Sequence, residues 1–147
     1  SATMPAVICH APEDYRLEEH PVPTAGPGEV VVRVESVGIC ASDLKCYLGA
    51  PLFWGDKQRE GYCQAPIIPG HEFVGKIVEL GSDTNGFAVG ERVTMATSIS
   101  CGKCAVCRSG YTNRCEHLAP ISYDYPGAFA DYIAIPPAGV IGGNVIK

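Results

Sequence analysis

The sequence predicts a mainly β fold, a barrel or a sandwich, from its short apolar segments and from the turn residues that separate them. The 147 residues include 17 glycines and 12 prolines, many of them in turn-like stretches such as PTAGPGE and GSDTNGFAVGE. Hydrophobic residues make up 46% of the chain and charged residues 18%. This balance is typical of one globular domain with a sizeable core, and it argues against disorder.

Six segments have the length of β-strands, and most of them are rich in valine and isoleucine. In chain order they are PAVICH, YRLEEHPV, EVVVRVESVGI, EFVGKIVEL, ERVTMA and AFADYIAIP. Between the third and the fourth, CASDLKCYLG predicts a helical turn that Ser42 or Asp43 would cap and Gly49 would end. Residues 50–68 show no clear period and predict a long loop, which in a compact domain is usually a lid or a binding loop.

Charge and hydropathy exclude several kinds of partner. The net charge is −5 and lysine and arginine form no cluster, so nucleic acid and anionic membranes are not expected partners. No apolar run approaches the roughly 18 residues that a membrane-spanning helix needs. Residues 1–3, before Met4, have the form of an expression-tag remnant, and the domain is therefore expected to span residues 4–147.

Four of the eight cysteines lie close together in CGKCAVCRSGYTNRC, which predicts a metal site. The C-x2-C-x2-C-x7-C spacing lets four thiolates converge on one tetrahedral ion. Two disulfides and an iron–sulfur cluster are the alternatives, but in ferredoxin motifs the fourth cysteine comes sooner and precedes proline. Four thiolates leave no open coordination position, so the site is predicted to be a structural zinc in a lobe of about residues 98–117. Its ligands would be Cys101, Cys104, Cys107 and Cys115.

A second candidate site combines His71 and Glu72 with Cys40. Cys40 ends the strand-like segment VESVGIC, and His71 begins the segment HEFVGKIV, so the two side chains can meet at one end of a barrel. A thiolate, an imidazole and a carboxylate leave a coordination position for substrate, which is typical of catalytic zinc. The alternative interpretation is a turn that is polar without binding a metal.

Ser42 and Asp43, which follow Cys40 closely in the chain, could support the chemistry of such a site. Ser42 is near enough to accept a proton from an alcohol at such a site, and Asp43 could accept the ring N–H of His71 and fix its tautomer. Helix capping is the alternative role for both residues, and it is compatible with the first. The remaining cysteines have less specific interpretations. Cys9 is expected to pack in the core, and Cys46 and Cys63 to be core, surface or loop thiols.

Three separated motifs resemble the zinc-dependent medium-chain alcohol dehydrogenase family. GHEFVGKIVELGSDTNGFAVGERV resembles the zinc signature of the family, GICASDLK resembles the segment with its first catalytic ligand, and the 101–115 cluster resembles its structural-zinc lobe. The resemblance extends from about Met4 to about Pro136 and implies a GroES-like, distorted β-barrel. The site residues that it implies are Cys40 and His71 as zinc ligands, Glu72 as a near or alternating ligand, Ser42 as a proton-relay hydroxyl and Asp43 as the carboxylate behind the ligand.

One segment departs from the family pattern. The separation between Cys40 and His71 is long, and the insertion contains residues 53–56, Phe-Trp-Gly-Asp. GICASDLKCYLGAPLFWGD is similar to the sugar-alcohol dehydrogenases of the erythritol/threitol type. The aromatic residues Phe53 and Trp54 are expected either to line the substrate cleft or to pack in the core.

The resemblance implies the catalytic domain of a zinc-dependent alcohol or polyol dehydrogenase. Such an enzyme oxidises a primary or secondary hydroxyl group of a small alcohol or sugar alcohol and transfers a hydride to NAD(P)+. We expect two zinc ions per chain, one catalytic and one structural, in a cytoplasmic enzyme that is a homo-oligomer at full length. No G-x-G-x-x-G unit lies between a predicted strand and helix, so the Rossmann domain is expected to be absent and the chain inactive alone.

A non-enzymatic GroES-like or zinc-ribbon module that binds other proteins is the alternative hypothesis. It explains the predicted barrel and the four-cysteine lobe. It leaves the combination of Cys40, Ser42, Asp43, His71 and Glu72 without a role.

Overall fold

The computed structural model describes residues 2–147, and its main feature is a five-stranded antiparallel sheet. The strands of this sheet lie in the order β8-β3-β4-β5-β9, and the pairs β1-β2 and β6-β7 form two further sheets. The nine strands are β1 (Thr3–Ala11), β2 (Asp14–Pro21), β3 (Val30–Gly38), β4 (Glu72–Leu80), β5 (Arg92–Met95), β6 (Ser98–Ile99), β7 (Ala119–Pro120), β8 (Tyr132–Ile135) and β9 (Val145–Ile146).

The mainly β prediction is confirmed. The six predicted strand segments correspond to β1, β2, β3, β4, β5 and β8, whereas β6, β7 and β9 have two residues each and gave no sequence signal. All pairings between these strands are antiparallel. A dinucleotide-binding sheet is parallel and is doubly wound with helices, and residues 2–147 contain no such sheet.

The largest core cluster includes alternate residues of the central strands of the five-stranded sheet. Val30 and Val32 of β3 are fully buried and pack with Ile77 of β4 and with Ile133 and Ile135 of β8. Burying a side chain of this size contributes roughly 1.5–3 kcal/mol. The valine-rich centre of β3 therefore anchors it between β4 and β8.

The pairing of β3 with β4 brings the predicted site together. Gly38, the last residue of β3, is opposite Glu72, the first residue of β4. Farther along the pair the two backbones approach closely at Gly75, where a Cβ atom would collide with the carbonyl oxygen of Arg33. Cys40 follows the end of β3 by two residues and His71 directly precedes β4, so both lie at the same end of this pair.

The helices are short and differ in two details from the prediction. They are α1 (Ala41–Tyr47), α2 (Pro51–Trp54), α3 (Ala105–Arg108) and α4 (Pro137–Ile141), with a 3-10 turn at Thr112–Arg114. None of the helices in residues 2–147 is long and apolar enough to cross a membrane.

The first difference is the start of α1. Its N-cap is Cys40, whereas Ser42 or Asp43 was the predicted cap. Asp43 occupies the third helical position, and its Oδ2 accepts a hydrogen bond of 2.8 Å from the Cys40 N–H. The carboxylate thus caps the helix from inside the first turn. The predicted end is nearly right, since Gly49, with φ of +81°, follows the C-cap Leu48.

The second difference is α2, which lies in the segment expected to be a loop. Pro51 begins this helix, a position where its fixed φ is favourable and its missing N–H costs nothing. Four residues are too few to show a helical period, which is why the pattern did not predict it.

At the N-terminal end of the chain, Ala2 and Thr3, expected to lie outside the domain, pair with β2 through Pro21 and Val22. Ser1 lies outside the described residues.

Candidate metal centres

Cys40, His71 and Glu72 meet at the end of the β3–β4 pair. One potential ligand atom from each lies within 4.8 Å of the other two. Cys40 and His71 are partly buried, and Glu72 is exposed. The antiparallel pairing of Gly38 with Glu72 produces this arrangement directly, because it places the residues that follow β3 beside the residues that precede β4.

A glycine turn positions His71. Gly70 has φ of +94°, a conformation that residues with a side chain rarely adopt. A Cβ atom there would also lie 2.7 Å from Cδ1 of Phe129. Gly70 therefore allows the chain to turn tightly against Phe129, and the side chain of His71 is left only 12% exposed.

The two ring nitrogens of His71 face different partners. Nδ1 lies 3.6 Å from Asp43 Oδ1, and Nε2 lies 3.4 Å from Ser42 Oγ. The first distance is longer than a hydrogen bond, and the second is at the limit for one. The arrangement nevertheless places Ser42 and Asp43 near His71, one at each ring nitrogen.

The Asp43 carboxylate is an unusual group to find at this position. It is 6% exposed, and its Oδ1 and the Nδ1 of His71 are buried atoms without a hydrogen-bond partner. Burial raises the pKa of the Asp43 carboxyl, and the Cys40 N–H and His71 oppose that shift. A proton on Nδ1 could be donated to Asp43 Oδ1, which would give both atoms a hydrogen-bond partner. Nε2 would then be the nitrogen that remains free to bind a metal.

The donor set fits a catalytic zinc ion. Zinc in proteins binds thiolate sulfur, imidazole nitrogen and carboxylate oxygen, and its catalytic sites use three protein ligands with one position left for substrate. Cys40, His71 and Glu72 supply one donor of each type. Ser42 Oγ lies beside this group, 3.4 Å from His71 Nε2.

Asp43→Asn is expected to weaken zinc binding at this site roughly 10- to 100-fold, because the carboxylate that orients His71 loses its charge. The amide oxygen can still accept the Cys40 N–H, so the fold should persist. The measurement is a competition titration of the purified full-length protein against a zinc chelator. Glu79→Gln, an exposed carboxylate change on β4, is the matched control. Equal zinc affinity in the two variants would contradict the positioning role.

Tyr123 is a site residue that the sequence did not indicate. Its ring centroid lies 6.2 Å from that of His71 and 4.8 Å from that of Phe53. Its hydroxyl is buried without a partner, and burial raises its pKa to about 12, although nearby Ser42 lowers it. No motif surrounds Tyr123, and its chain distance from His71 hides the contact. Phe53 is 4% exposed and packs on Tyr123, so it belongs to the core of this region.

The four cysteines of the lobe converge on a second point. The Sγ atoms of all four lie within 4.8 Å of one another. Cys104 is the N-cap of α3, and Cys107 lies within that helix. Cys115 directly follows the 3-10 turn. Two tight turns therefore present the ligands, and the site could hold a structural zinc. The set that converges is Cys101, Cys104, Cys107 and Cys115.

Backbone amides point at these sulfur atoms. The N–H groups of Cys104 and Cys107 donate to Cys101 Sγ and Cys104 Sγ at 3.4 Å, and that of His117 donates to Cys115 Sγ at 3.3 Å. Hydrogen bonds from backbone N–H groups stabilise the thiolate form of a cysteine relative to the neutral thiol. The backbone N–H groups of Glu116 and Cys107 lower the pKa of Cys104 to about 6, while burial raises that of Cys107 to about 12.

A mainly β domain with one set of four thiolates and one set of thiolate, imidazole and carboxylate has the ligand chemistry of a metal-dependent catalytic domain. The comparisons agree with this class. The family model for the alcohol dehydrogenase GroES-like domain matches residues 26–143. The chain belongs to this family.

Three of the similar proteins are named as dehydrogenases. Erythritol/L-threitol dehydrogenase of Mycolicibacterium smegmatis is 47% identical over 143 residues, which are 94% of this chain and 40% of that protein. L-threonine 3-dehydrogenase of Xanthomonas euvesicatoria pv. vesicatoria is 40% identical over 124 residues, 84% of this chain and 35% of its own length. A crystal structure of a zinc-binding dehydrogenase from Sinorhizobium meliloti, bound to NADP, superposes with a TM-score of 0.84 at 31% identity. That comparison covers 99% of this chain and 38% of the other.

Proposed function

We propose that the full-length protein containing this chain is a zinc-dependent dehydrogenase that oxidises a sugar alcohol of the erythritol or threitol type with NAD(P)+. The observation that carries this proposal is the convergence of Cys40, His71 and Glu72, with Ser42 beside the ring nitrogen that is free to bind metal. The similarity to the mycobacterial erythritol/L-threitol dehydrogenase supports the substrate class. The chain spans about 40% of the length of that relative, so the nicotinamide site is expected in the rest of the protein.

In this proposal Cys40, His71 and Glu72 would hold the zinc, which would supply Lewis acidity to an alcohol hydroxyl. Ser42 Oγ would accept the hydroxyl proton as its own proton passes to solvent water. Asp43 holds His71 in one tautomer, and the Tyr123 ring lies near His71 with Phe53 packed behind it. NAD(P)+, held by the rest of the protein, would accept the carbinol hydrogen as hydride, with both electrons of the C–H bond, which would leave a carbonyl compound.

The four-cysteine lobe has a different role in this proposal. Its four thiolates fill a tetrahedral coordination sphere, so a zinc ion there has no position for substrate. We assign it to the stability of residues 98–117. Thiolate sites of this kind persist in a reducing compartment, which supports a cytoplasmic location. We also propose that the full-length enzyme is a homo-oligomer and that residues 4–147 form its catalytic domain.

The test is a direct assay of the full-length protein with erythritol, L-threitol and L-threonine in the presence of NAD+ or NADP+. We expect NAD(P)H formation to be fastest with one of the two sugar alcohols. Turnover with L-threonine alone would refute the substrate class. A protein that holds zinc at Cys40 and His71 but oxidises no alcohol would favour a non-enzymatic module.

Ser42→Ala is expected to lower kcat roughly 100-fold, the lower end for loss of a positioned proton acceptor, while zinc content stays at the wild-type value. The check is steady-state kinetics together with metal analysis. Ser36→Ala, which removes an exposed hydroxyl from β3, is the matched control and should match the wild type. An unchanged kcat in Ser42→Ala would exclude Ser42 from the proton path.

A further inference from the structure

Three cysteines outside both sites meet at a third point. Cys9 lies on β1, Cys46 on α1 and Cys63 in the segment between α2 and β4. Their Sγ atoms all lie within 4.8 Å of one another. In a tetrahedral zinc–thiolate site, bonds of about 2.3 Å place sulfur atoms about 3.8 Å apart. The distances between these three sulfur atoms are therefore near those of a zinc–thiolate site. The sulfur atoms of the four-cysteine lobe also lie within 4.8 Å of one another.

The backbone holds each of these cysteines in place. Cys9 exchanges two hydrogen bonds with Ile67, at 2.8 and 3.1 Å. The N–H of Cys63 donates to the Phe53 carbonyl at 2.7 Å, and the indole Nε1 of Trp54 donates to the Cys46 carbonyl at 2.7 Å. The convergence thus depends on three separately anchored segments and not on one mobile loop.

The surroundings of the cluster suit a metal ion. Cys9 and Cys46 are each 1% exposed, and Cys63 is partly buried. The hydroxyl of Tyr15 is a buried atom without a hydrogen-bond partner. Tyr15 is opposite Cys9 in the β1–β2 pairing, which places this residue beside the cluster. Its hydroxyl could complete the coordination sphere or donate to a thiolate.

We propose that Cys9, Cys46 and Cys63 form a third metal site, which binds a thiophilic d10 cation, Zn²⁺ or Cu⁺. A ligand set of sulfur atoms alone selects these soft ions over Mg²⁺, Ca²⁺ or Mn²⁺. A disulfide would use two of the three sulfur atoms and leave the third without a partner, whereas a metal ion uses all three.

This site would tie the insertion to the catalytic centre. Cys46 is on the same helix as Ser42 and Asp43, and the helix begins directly after Cys40. Cys63 is at the far end of the insertion that carries α2. A metal ion that bridges them to Cys9 fixes α1 and the insertion against β1. The proposal does not depend on the substrate, because it concerns only these three side chains.

The experiment compares wild-type full-length protein with Cys63→Ser and with the control Tyr62→Phe, a change at the neighbouring, 40% exposed residue. Each protein is loaded with zinc chloride, or anaerobically with Cu⁺, and freed of loose metal by gel filtration. Bound metal is then counted by mass spectrometry under native conditions. With at least one of the two metals, we expect the wild type and Tyr62→Phe to bind the same number of ions per chain. We expect Cys63→Ser to bind one ion fewer. Equal metal content with both metals would overturn the proposal.

Two further measurements keep the proposal testable if Cys63→Ser fails to fold. Crystals of wild-type protein loaded with the same metal should show an anomalous peak bonded to all three sulfur atoms. Absence of an anomalous peak between these three sulfur atoms would mean that the thiols pack together without a metal, which would overturn the proposal. Thiol counting in wild-type protein, unfolded without reductant, should find all three free. Two missing thiols, mapped to this cluster, would indicate a disulfide and would overturn the metal site.

Discussion

Cys40→Ala in the full-length protein is expected to remove one zinc ion per chain and to lower alcohol oxidation about a thousandfold or more. The substitution removes the thiolate from the proposed site of three protein ligands, so both affinity and geometry should be lost. Lewis-acid catalysis contributes several kcal/mol, and each 1.36 kcal/mol is a factor of about ten in rate. His71→Ala should have the same effect, since it removes the imidazole from the same set.

The measurement combines metal analysis by mass spectrometry with an assay of NAD(P)H formation. The zinc of the four-cysteine lobe should remain in both variants, because the two ligand sets share no residue. Full wild-type zinc content in Cys40→Ala would show that Cys40 is not a ligand. Full activity after loss of the zinc would show that the ion has no catalytic role.

Cys104→Ser is expected to have the opposite pattern, with a large loss of stability and little effect on chemistry. The variant should lose the lobe zinc, one ion per chain, because one thiolate of a closed four-thiolate site is missing. Metal binding and local folding are coupled in such sites, so the thermal midpoint should fall. At low temperature, where the remaining fold is intact, turnover per active site should stay close to that of the wild type.

Thermal unfolding followed by circular dichroism, together with the alcohol assay at low temperature, checks this expectation. Lys103→Ala, an exposed neighbour in the same lobe, is the control and should keep its zinc. Complete loss of turnover in a Cys104→Ser protein that is still folded would place chemistry in the lobe and would contradict its structural role.

The local parts of both ligand sets could be predicted from sequence because their geometry is set by short spacings. Cys101, Cys104 and Cys107 are each three residues apart, and the turns between them direct both sulfur atoms and amides. Cys40 and His71 are far apart in the chain. Cys40 lies two residues after one apolar strand and His71 directly before another, however, and antiparallel pairing of these two strands brings their adjoining ends together.

Contacts between distant irregular segments could not be predicted in the same way. Tyr123 reaches His71 from a segment without a regular period, and Cys9, Cys46 and Cys63 meet from a strand, a helix and a loop. No spacing rule relates such residues, since their approach depends on the path of the insertion. The N-cap role of Cys40 was missed for a different reason, because the helix begins two residues earlier than a Ser42 cap would place it and three earlier than an Asp43 cap would.

The most direct test of the account is a crystal structure of the zinc-loaded full-length protein with a sugar alcohol, using diffraction data collected at the zinc absorption edge. We predict an anomalous peak about 2.3 Å from Cys40 Sγ and about 2.0–2.1 Å from His71 Nε2. The alcohol oxygen should lie beside that peak and within hydrogen-bond distance of Ser42 Oγ. A peak in the four-cysteine lobe with none at Cys40 and His71, or an alcohol bound away from Ser42, would contradict the assignment of this site to catalysis.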